Sequence, residues 1–505
     1  MLVKLKEYFA ARRSPAYLVG GYLRDSLLSL PLGREIDIAV QADPQAVGLD
    51  LARELGGVYV PLSPAHGVAR VVAGASAAGQ PSGEEPGAGW TIDLSGFSGN
   101  IEEDLARRDF TVDALALPLQ FWALPVPRHV GVIDPFHGRE DLVRRSIRAV
   151  GPGVFRDDPG RLLRAVRLAA RLKFRLEPGT ARLVLSEAHR ISQVSRERVR
   201  DEFLALLSMD GARGHLEVLD RLDLLCRIIP ELAETKGVEQ PSEHYWDVWG
   251  HLLHTVETGE LITKGHQNSP IYSFVPWTPE MASYFSQEFS DGHTRRTLLK
   301  LAALFHDIAK PQTKGKDETG RTRFLGHPEL GAGMAEARLA QLRLSSRGIA
   351  MVAKMVEQHL RPTNMQQGVE WPTPRAVHRY FRDLGEVAID TLYLSLADYL
   401  GAKGPVLSAG DWASHARMVA YVLEQGTRRP AQQGPCRLIT GHELMEHFNL
   451  VPGPLIGDML ESIGEATAAG EIANRGEALA VAAEVLRNYP KTPRRSLGHP
   501  STSSG

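Results

Sequence analysis

The sequence predicts an α+β protein, with a small mixed-sheet head at the N-terminus followed by helices to the end of the chain. Three observations carry this. Within the first 138 residues, short β-branched runs alternate with Gly, Pro and one helical stretch. From Arg139 onward the apolar spacing is helical almost throughout, and strand signals are few. The chain has 505 residues, 43% hydrophobic and 23% charged, the balance of a globular protein with room for about three domains.

Strands are expected at 17–19, 36–40, 68–73, 91–94 and 111–117, with a helix over 44–55 between the second and third. Residues 74–89 are rich in Gly, Ala, Ser and Pro and read as a hairpin loop. The composition then divides the chain into a head (1–138), a helical neck (139–235), a second helical domain (236–405), a helical tail (406–490) and a disordered end (491–505). A polar insertion over 264–295, carrying Pro270, Pro276 and Pro279, interrupts the helices of the second domain.

No run of 18 apolar residues occurs, which excludes a membrane-spanning helix, and the N-terminus lacks the apolar core of a signal peptide. The two cysteines, Cys226 and Cys436, have no metal-ligand or redox spacing, so a reducing, cytoplasmic compartment is expected. The formal net charge of -2 excludes a generic polyanion binder. It hides 15 Lys+Arg against 5 Asp+Glu over residues 144–200, a footprint of phosphate binding.

Two constellations carry chemistry. In the first, Gly20-Gly21-Tyr22-Leu23-Arg24-Asp25 joins a strand to a helix. The glycines let backbone amides approach a triphosphate, the helix offers its N-terminus, and Arg24 adds a charged fork. Ten residues on, Glu35-Ile36-Asp37-Ile38 alternates acid and apolar residues, placing both carboxylates on one strand face. Such a pair clamps Mg²⁺ ions that bridge a triphosphate and an attacking hydroxyl, with Asp93 on a neighbouring strand as the third acid. Asp158, Arg161 and Arg164, spaced three apart, are expected on one helix face. There an acid accepts from an exocyclic amine and Arg donates to a ring nitrogen or carbonyl, or the residues simply pair with one another.

In the second constellation, His306-Asp307 sits on an apolar helix, with His251 upstream and His327, His359 and Asp398 downstream. Neutral imidazoles with carboxylates suit a divalent transition metal, and a set this large has room for two ions. The 264–295 insertion falls between the first ligand and the His-Asp pair, placed either to cover the site or to be a plain surface insertion.

The chain resembles the class II tRNA nucleotidyltransferases and bacterial poly(A) polymerases. The resemblance rests on GGYLRD followed by EIDIAV, on EEDLARRDFTVDA at 102–114, on IDPFHG at 133–138 and on DDPGRLLRAVR at 157–167. It implies a polymerase-β-like head that adds CMP and AMP from CTP and ATP to the tRNA 3′ end by Mg²⁺ catalysis. Glu35 and Asp37 would hold the metal, Gly20, Gly21 and Arg24 the triphosphate, and Arg108 the incoming nucleotide. Asp158 and Arg161 would read the base, with Arg164 and Arg167 nearby. Three departures stand out: Glu35 replaces Asp, Asp113 replaces Asn and adds a negative charge, and an Arg is missing at 94–97.

The later residues resemble the HD phosphohydrolase superfamily, with His251, His306, Asp307 and Asp398 as the basic set and His327 and His359 as extra ligands. This implies a second activity on phosphoesters with Mn²⁺, Ni²⁺ or Co²⁺. Residues 438–445 and 451–457 resemble the transferase family's tail, where Gly453-Pro454 connects two helices. Two other readings stay open at this point: a partial adder of CC, A or poly(A), and a phosphohydrolase whose head only binds RNA.

Overall fold

A computed structural model describes all residues except 13, 64–66, 75–88, 124–130, 266–268, 366–370, 428–437 and 490–505. Most of the expected 74–89 loop, Cys436 and the 491–505 end lie outside the described residues. The chain forms two compact units: Met1–Glu234 with Arg338–Leu344, and Thr235–Ala337 with Ser345–Gly505.

The first unit is built on a six-stranded sheet: β1 (Ala16–Val19), β2 (Glu35–Val40), β3 (Val58–Ser63), β4 (Val68–Ala73), β5 (Trp90–Gly96) and β6 (Ala116–Pro118). The spatial order is β3-β4-β5-β2-β1-β6. Only β2 and β5 run parallel. The alternation in β2 has the expected result. Ile36 and Ile38 are buried in the core, while Glu35 and Asp37 emerge on the opposite face.

A helix spans Pro44–Leu55. Its Asp43 cap accepts from the Gln45 N–H, and Gly56 ends it in the left-handed region at φ 62°. Two expectations fail here. Residues 111–113 form a 3₁₀ turn, and only 116–118 continue as a strand, because the pairing available to β6 is the short β1 and a single bridge to Ile133. The strand β3 was not expected, since Pro61 sits inside it. It is an edge strand, where a missing N–H is tolerated.

Helices follow the sheet within the first unit. The helix Arg161–Leu172 packs Leu162, Leu163, Val166 and Leu168 inward and turns its arginines outward. The second unit is helical, with Val248–Ile262, Arg295–Phe305, Ser346–Gln358 and Ala388–Lys403 at its centre. Three small helices at its end (Gly441–Phe448, Pro454–Ala468, Arg475–Asn488) close over Leu444, Met459, Ile463 and Ala482. Pro454 occupies the first position of the middle one.

Candidate active sites

In the first unit, β1 ends at Val19, directly opposite Asp37 on β2. Gly20 then turns at φ 66°, a conformation that disfavours side chains, and a β-carbon there would lie 2.8 Å from Asp37 Oδ2. The Gly21 N–H donates to the Asp37 carboxylate. Burial raises the Asp37 carboxyl above its ordinary value, against the Arg108 charge and the Gly21 N–H. A buried carboxylate under a Gly-Gly turn is stabilised by a cation, and its hard oxygen donors, with those of Glu35, fit Mg²⁺.

A cavity of about 490 Å³ opens here, lined by Gly20, Gly21, Arg24, Glu35, Asp37, Arg108, Asp109, Asp113, Arg164, Arg167 and Arg171 among others. Arg24 is buried between two acids, with Nε 2.7 Å from Asp25 Oδ1 and Nη1 2.6 Å from Asp113 Oδ1. The extra charge of Asp113 is therefore neutralised by Arg24. Two buried polar atoms are left without hydrogen-bond partners, Arg108 Nε and Asp113 Oδ2, while Arg24 Nη2 lies 2.7 Å from Asp25 Oδ1. Such orphans are costly unless a ligand completes them.

Arg164, Arg167 and Arg171 project from one helix and pair with Asp109 (2.8 Å), Glu202 and Asp25 (2.9 Å). Asp93 lies in register with Asp37 but does not line the cavity, and its carboxylate is taken by Arg70 at 2.7 and 2.8 Å.

Asp158 departs from expectation. It is not on the helix that carries Arg161 and Arg164, but precedes it in extended conformation (φ −146°) because Pro159 follows. Its carboxylate accepts the Gly160 N–H at 2.9 Å and a bidentate fork from Arg198 at 2.7 Å. Burial pushes this carboxyl up, but the Arg198 hydrogen bonds and charge outweigh it and hold it below the usual range. Arg161 Nη2 donates to the Arg107 carbonyl at 2.9 Å and lies 3.8 Å (Nε) from Asp158, with neither residue among the cavity's lining. Arg198 and Glu202 were not singled out from the sequence. Their i, i+4 spacing on Arg196–Ser208 was the only signal.

In the second unit all six expected ligands converge. His306, His327 and His359 each place Nδ1 against the carbonyl three residues back (Ala303, Phe324, Val356) at 2.9, 2.6 and 2.7 Å. A carbonyl only accepts, so each Nδ1 carries a proton and each Nε2 is the ring atom turned toward the cluster. Asp307 Oδ2 lies 3.2 Å from His251 Nε2 and 3.3 Å from His306 Nε2, and Oδ1 lies 3.2 Å from His327 Nε2 and 3.7 Å from His359 Nε2. Asp398 approaches His251 at 3.1 Å.

The donors form two overlapping triads, His251/His306/Asp307 and Asp307/His327/His359. With Asp307 common to both triads, this set of imidazole and carboxylate donors fits a divalent transition metal and has room for two. Burial alone lowers His306, but Asp307 and Asp398 outweigh it and carry the ring up to about 10; a cation held by these donors would take the place of that proton. Burial holds His359 down at about 3, the neutral form a ligand needs.

The cavity over this cluster, about 390 Å³, is also lined by His244, Lys310, Arg321, Arg323 and Lys403, none of which was singled out. The 264–295 insertion contributes no lining residue. Its described part forms the helix Pro279–Ser286 and the paired strands Glu288–Ser290 and His293–Thr294, and Phe285 packs on Tyr393. Its Met281, Phe285, Phe289 and Arg295 are buried, so the described part packs into the unit and does not line the cavity.

A Gly-Gly turn over a strand-borne acid pair, followed by an arginine-faced helix, defines a nucleotidyltransferase, and residues 16–148 match the poly(A) polymerase head domain. Residues 173–236 match the probable RNA and SrmB-binding site of polymerase A, 248–403 the HD domain, and 437–483 tRNA nucleotidyltransferase domain 2. The chain is 34% identical over 475 residues to an A-adding tRNA nucleotidyltransferase of Deinococcus radiodurans, covering 92% of this chain and 94% of the relative. It is 32% identical over 474 residues to a CC-adding enzyme of Thermus thermophilus, covering 92% of each.

The chain belongs to the tRNA nucleotidyltransferase family. Its fold is similar to that of the Thermotoga maritima CCA-adding enzyme solved with tRNA, at a TM-score of 0.59 and 20% identity over 96% of this chain and 94% of that one. No described helix is long and apolar enough to cross a membrane.

Proposed function

We propose that this enzyme adds CMP and AMP, from CTP and ATP, to the 3′ end of tRNA without a template, completing the CCA sequence. The observation that carries this is one cavity lined by the acids Glu35 and Asp37 together with Arg24 and Arg108, in which Arg108 Nε has no hydrogen-bond partner. Glu35 and Asp37 would hold Mg²⁺, which would supply activation of the terminal ribose hydroxyl and charge neutralisation at the leaving pyrophosphate. Gly20 and Gly21 bring their backbone against the triphosphate, and Arg24 and Arg108 donate to its oxygens.

Arg164 and Arg167 extend the cationic wall toward Asp158 and Arg161. There the carboxylate accepts from the exocyclic amine of cytosine or adenine while the guanidinium donates to the ring edge. The neck (139–235) grips the acceptor stem by backbone and shape, since A-form helices hide base edges in the major groove. The head (1–138), the metal domain (236–405) and the tail (406–490) complete the organisation, and the enzyme works in the cytoplasm.

A partial-adder reading is favoured by one observation: the two full-length relatives named above carry the names of A-adding and CC-adding enzymes at nearly equal identity. Extension of tRNA transcripts ending before CCA, after C and after CC, with CTP, ATP or both, decides between them. Three added nucleotides, lost in Asp37→Ala, support full CCA addition; two or one identify a partial adder. No extension from any transcript refutes the transferase reading.

For the second unit we propose hydrolysis of a phosphoester with two transition-metal ions (Mn²⁺, Ni²⁺ or Co²⁺) held by His251, His306, Asp307, His327, His359 and Asp398. Lys310, Arg321 and Arg323 supply cations for the phosphate. Hydrolysis of a cyclic nucleotide phosphate, lost in Asp307→Ala, tests this.

A further inference from the structure

The strands β2, β5 and β4 lie side by side, and their register sets three polar residues in one row. Asp37 stands opposite Asp93, and Asp93 opposite Arg70. Ile36 and Ile38, Ile92 and Leu94, and Ala69 and Val71 are buried on the other face, so the row shares the face of the acid pair. Arg70 Nε is 2.7 Å from Asp93 Oδ1 and Nη2 is 2.8 Å from Oδ2, a bidentate pair that occupies both carboxylate oxygens. Both side chains are about two-thirds shielded from solvent, at 35% and 28% exposure. Glu35 and Asp37 line the nucleotide cavity, whereas Asp93 and Arg70 do not.

We propose that Arg70 withdraws Asp93 from the metal site, so that Glu35 and Asp37 alone hold Mg²⁺ and the neutral Arg70–Asp93 pair sets how much Mg²⁺ the site demands. Arg70 is thus a positioning residue that acts through the charge it cancels. The proposal rests on the reading of Glu35 and Asp37 as the metal-holding pair. With the pair intact, the row next to Asp37 carries no net charge. Removing Arg70 adds a negative charge beside the metal, removing the Asp93 charge adds a positive one, and removing both restores neutrality.

The test is this charge cycle read at equilibrium. CTP affinity is measured by calorimetry over a series of Mg²⁺ concentrations, with no tRNA present, for wild type, Arg70→Met, Asp93→Asn and the double variant. Arg70→Met keeps the aliphatic stem and so the packing of β4. The Mg²⁺ concentration for half-maximal CTP affinity is expected to fall about two- to fivefold in Arg70→Met and to rise by a similar factor in Asp93→Asn. In the double variant it returns to the wild-type value. Loss of Mg²⁺-linked binding in both Asp93→Asn and the double variant overturns the proposal, because Asp93 is then itself a ligand. An unchanged half-point in Arg70→Met overturns it as well. The control is Asp37→Asn: if it leaves the Mg²⁺ dependence intact, the metal reading of Glu35 and Asp37 falls, and the proposal with it.

Discussion

Gly20 tests the head's geometry most sharply, because a single methyl there meets two separate penalties. At φ 66° an alanine pays the left-handed strain, about 1–2 kcal/mol, and its β-carbon would sit 2.8 Å from Asp37 Oδ2 and 3.2 Å from Cγ. Gly56 supplies the control. It has nearly the same backbone (φ 62°), yet a β-carbon there meets nothing within 4 Å. Gly20→Ala and Gly56→Ala should therefore lower the melting temperature of the first unit by a similar few degrees, at about 2–4 °C per kcal/mol.

Only Gly20→Ala displaces the carboxylate. A shift approaching an ångström in a metal-holding group costs about 10²-fold in rate, so single-turnover CMP incorporation should fall about 10- to 100-fold in Gly20→Ala and less than twofold in Gly56→Ala. Melting by circular dichroism and quenched-flow incorporation separate the two effects. If both variants keep wild-type rates while losing the same stability, Asp37 is not positioned by the Gly-Gly turn and the account of the head is wrong.

Replacing Arg198 by Met should raise KM for CTP and ATP about fivefold without changing KM for tRNA, with Lys restoring little because the bidentate fork is lost; an unchanged nucleotide KM removes Arg198 as the orienter of Asp158. Glu177 caps the helix Pro178–Glu187 by accepting from Thr180 N at 2.7 Å, and backbone and Arg148 contacts hold its carboxyl below the ordinary value despite some burial. A depressed acid contributes stability above its unfolded pKa and loses it as pH falls through the folded one. Glu177→Ala should thus cost about 1 kcal/mol at pH 7, and the gap to wild type, followed by urea unfolding, should close at pH values below the ordinary glutamate range. In the second unit, Asp307→Asn should lower the bound transition metal seen by elemental analysis from two ions per chain to at most one, leaving nucleotide addition within twofold of wild type. A chelator selective for transition metals, added in excess Mg²⁺, should abolish phosphoester hydrolysis and spare transfer; equal inhibition of both would contradict the separate donor chemistries.

Much of both sites was legible because their signals are local. Gly20-Gly21, the Glu35–Asp37 alternation and the His306-Asp307 pair each declare their geometry within a few residues, where strand or helix periodicity fixes which side chains share a face. The second-unit ligands come from five separate stretches of sequence, most of them helical, and they converge on Asp307 and His251.

Sequence reasoning failed where a partner comes from another element. Nothing near Asp93 announces Arg70, which arrives through the β4–β5 register, and nothing near Asp158 announces Arg198, 40 residues on. Spacing of three suggested a helix through Asp158, but Pro159 imposes an extended backbone and moves the acid off it. The charge of Asp113 looked like an intrusion near the nucleotide until the fold paired it with Arg24. The expected 111–117 strand and the missed β3 fail for a related reason. Pairing across the sheet, not local propensity, decides which short runs become strands.

The two sites differ in how much of the metal's coordination the protein itself provides. In the second unit three imidazoles are fixed through Nδ1 on backbone carbonyls, and the buried Asp307 carboxylate is common to two sets of donors, so the protein itself assembles the donor set. In the head, Asp25, Asp109 and Asp113 are held by arginines, which leaves Glu35 and Asp37 on one strand, Glu35 exposed, and Arg108 Nε is without a partner in the same cavity. Mg²⁺ demands near-octahedral oxygen ligation and is ordinarily held by one or two carboxylates together with substrate phosphates. On the proposed reading, a triphosphate meeting Arg108 would also supply the missing metal ligands, so ion and nucleotide would bind together. The same coupling makes the head sensitive to small charges nearby: where the protein supplies so few ligands, a neutralised neighbour such as Asp93 shifts the balance more than it would in the ligand-rich second unit.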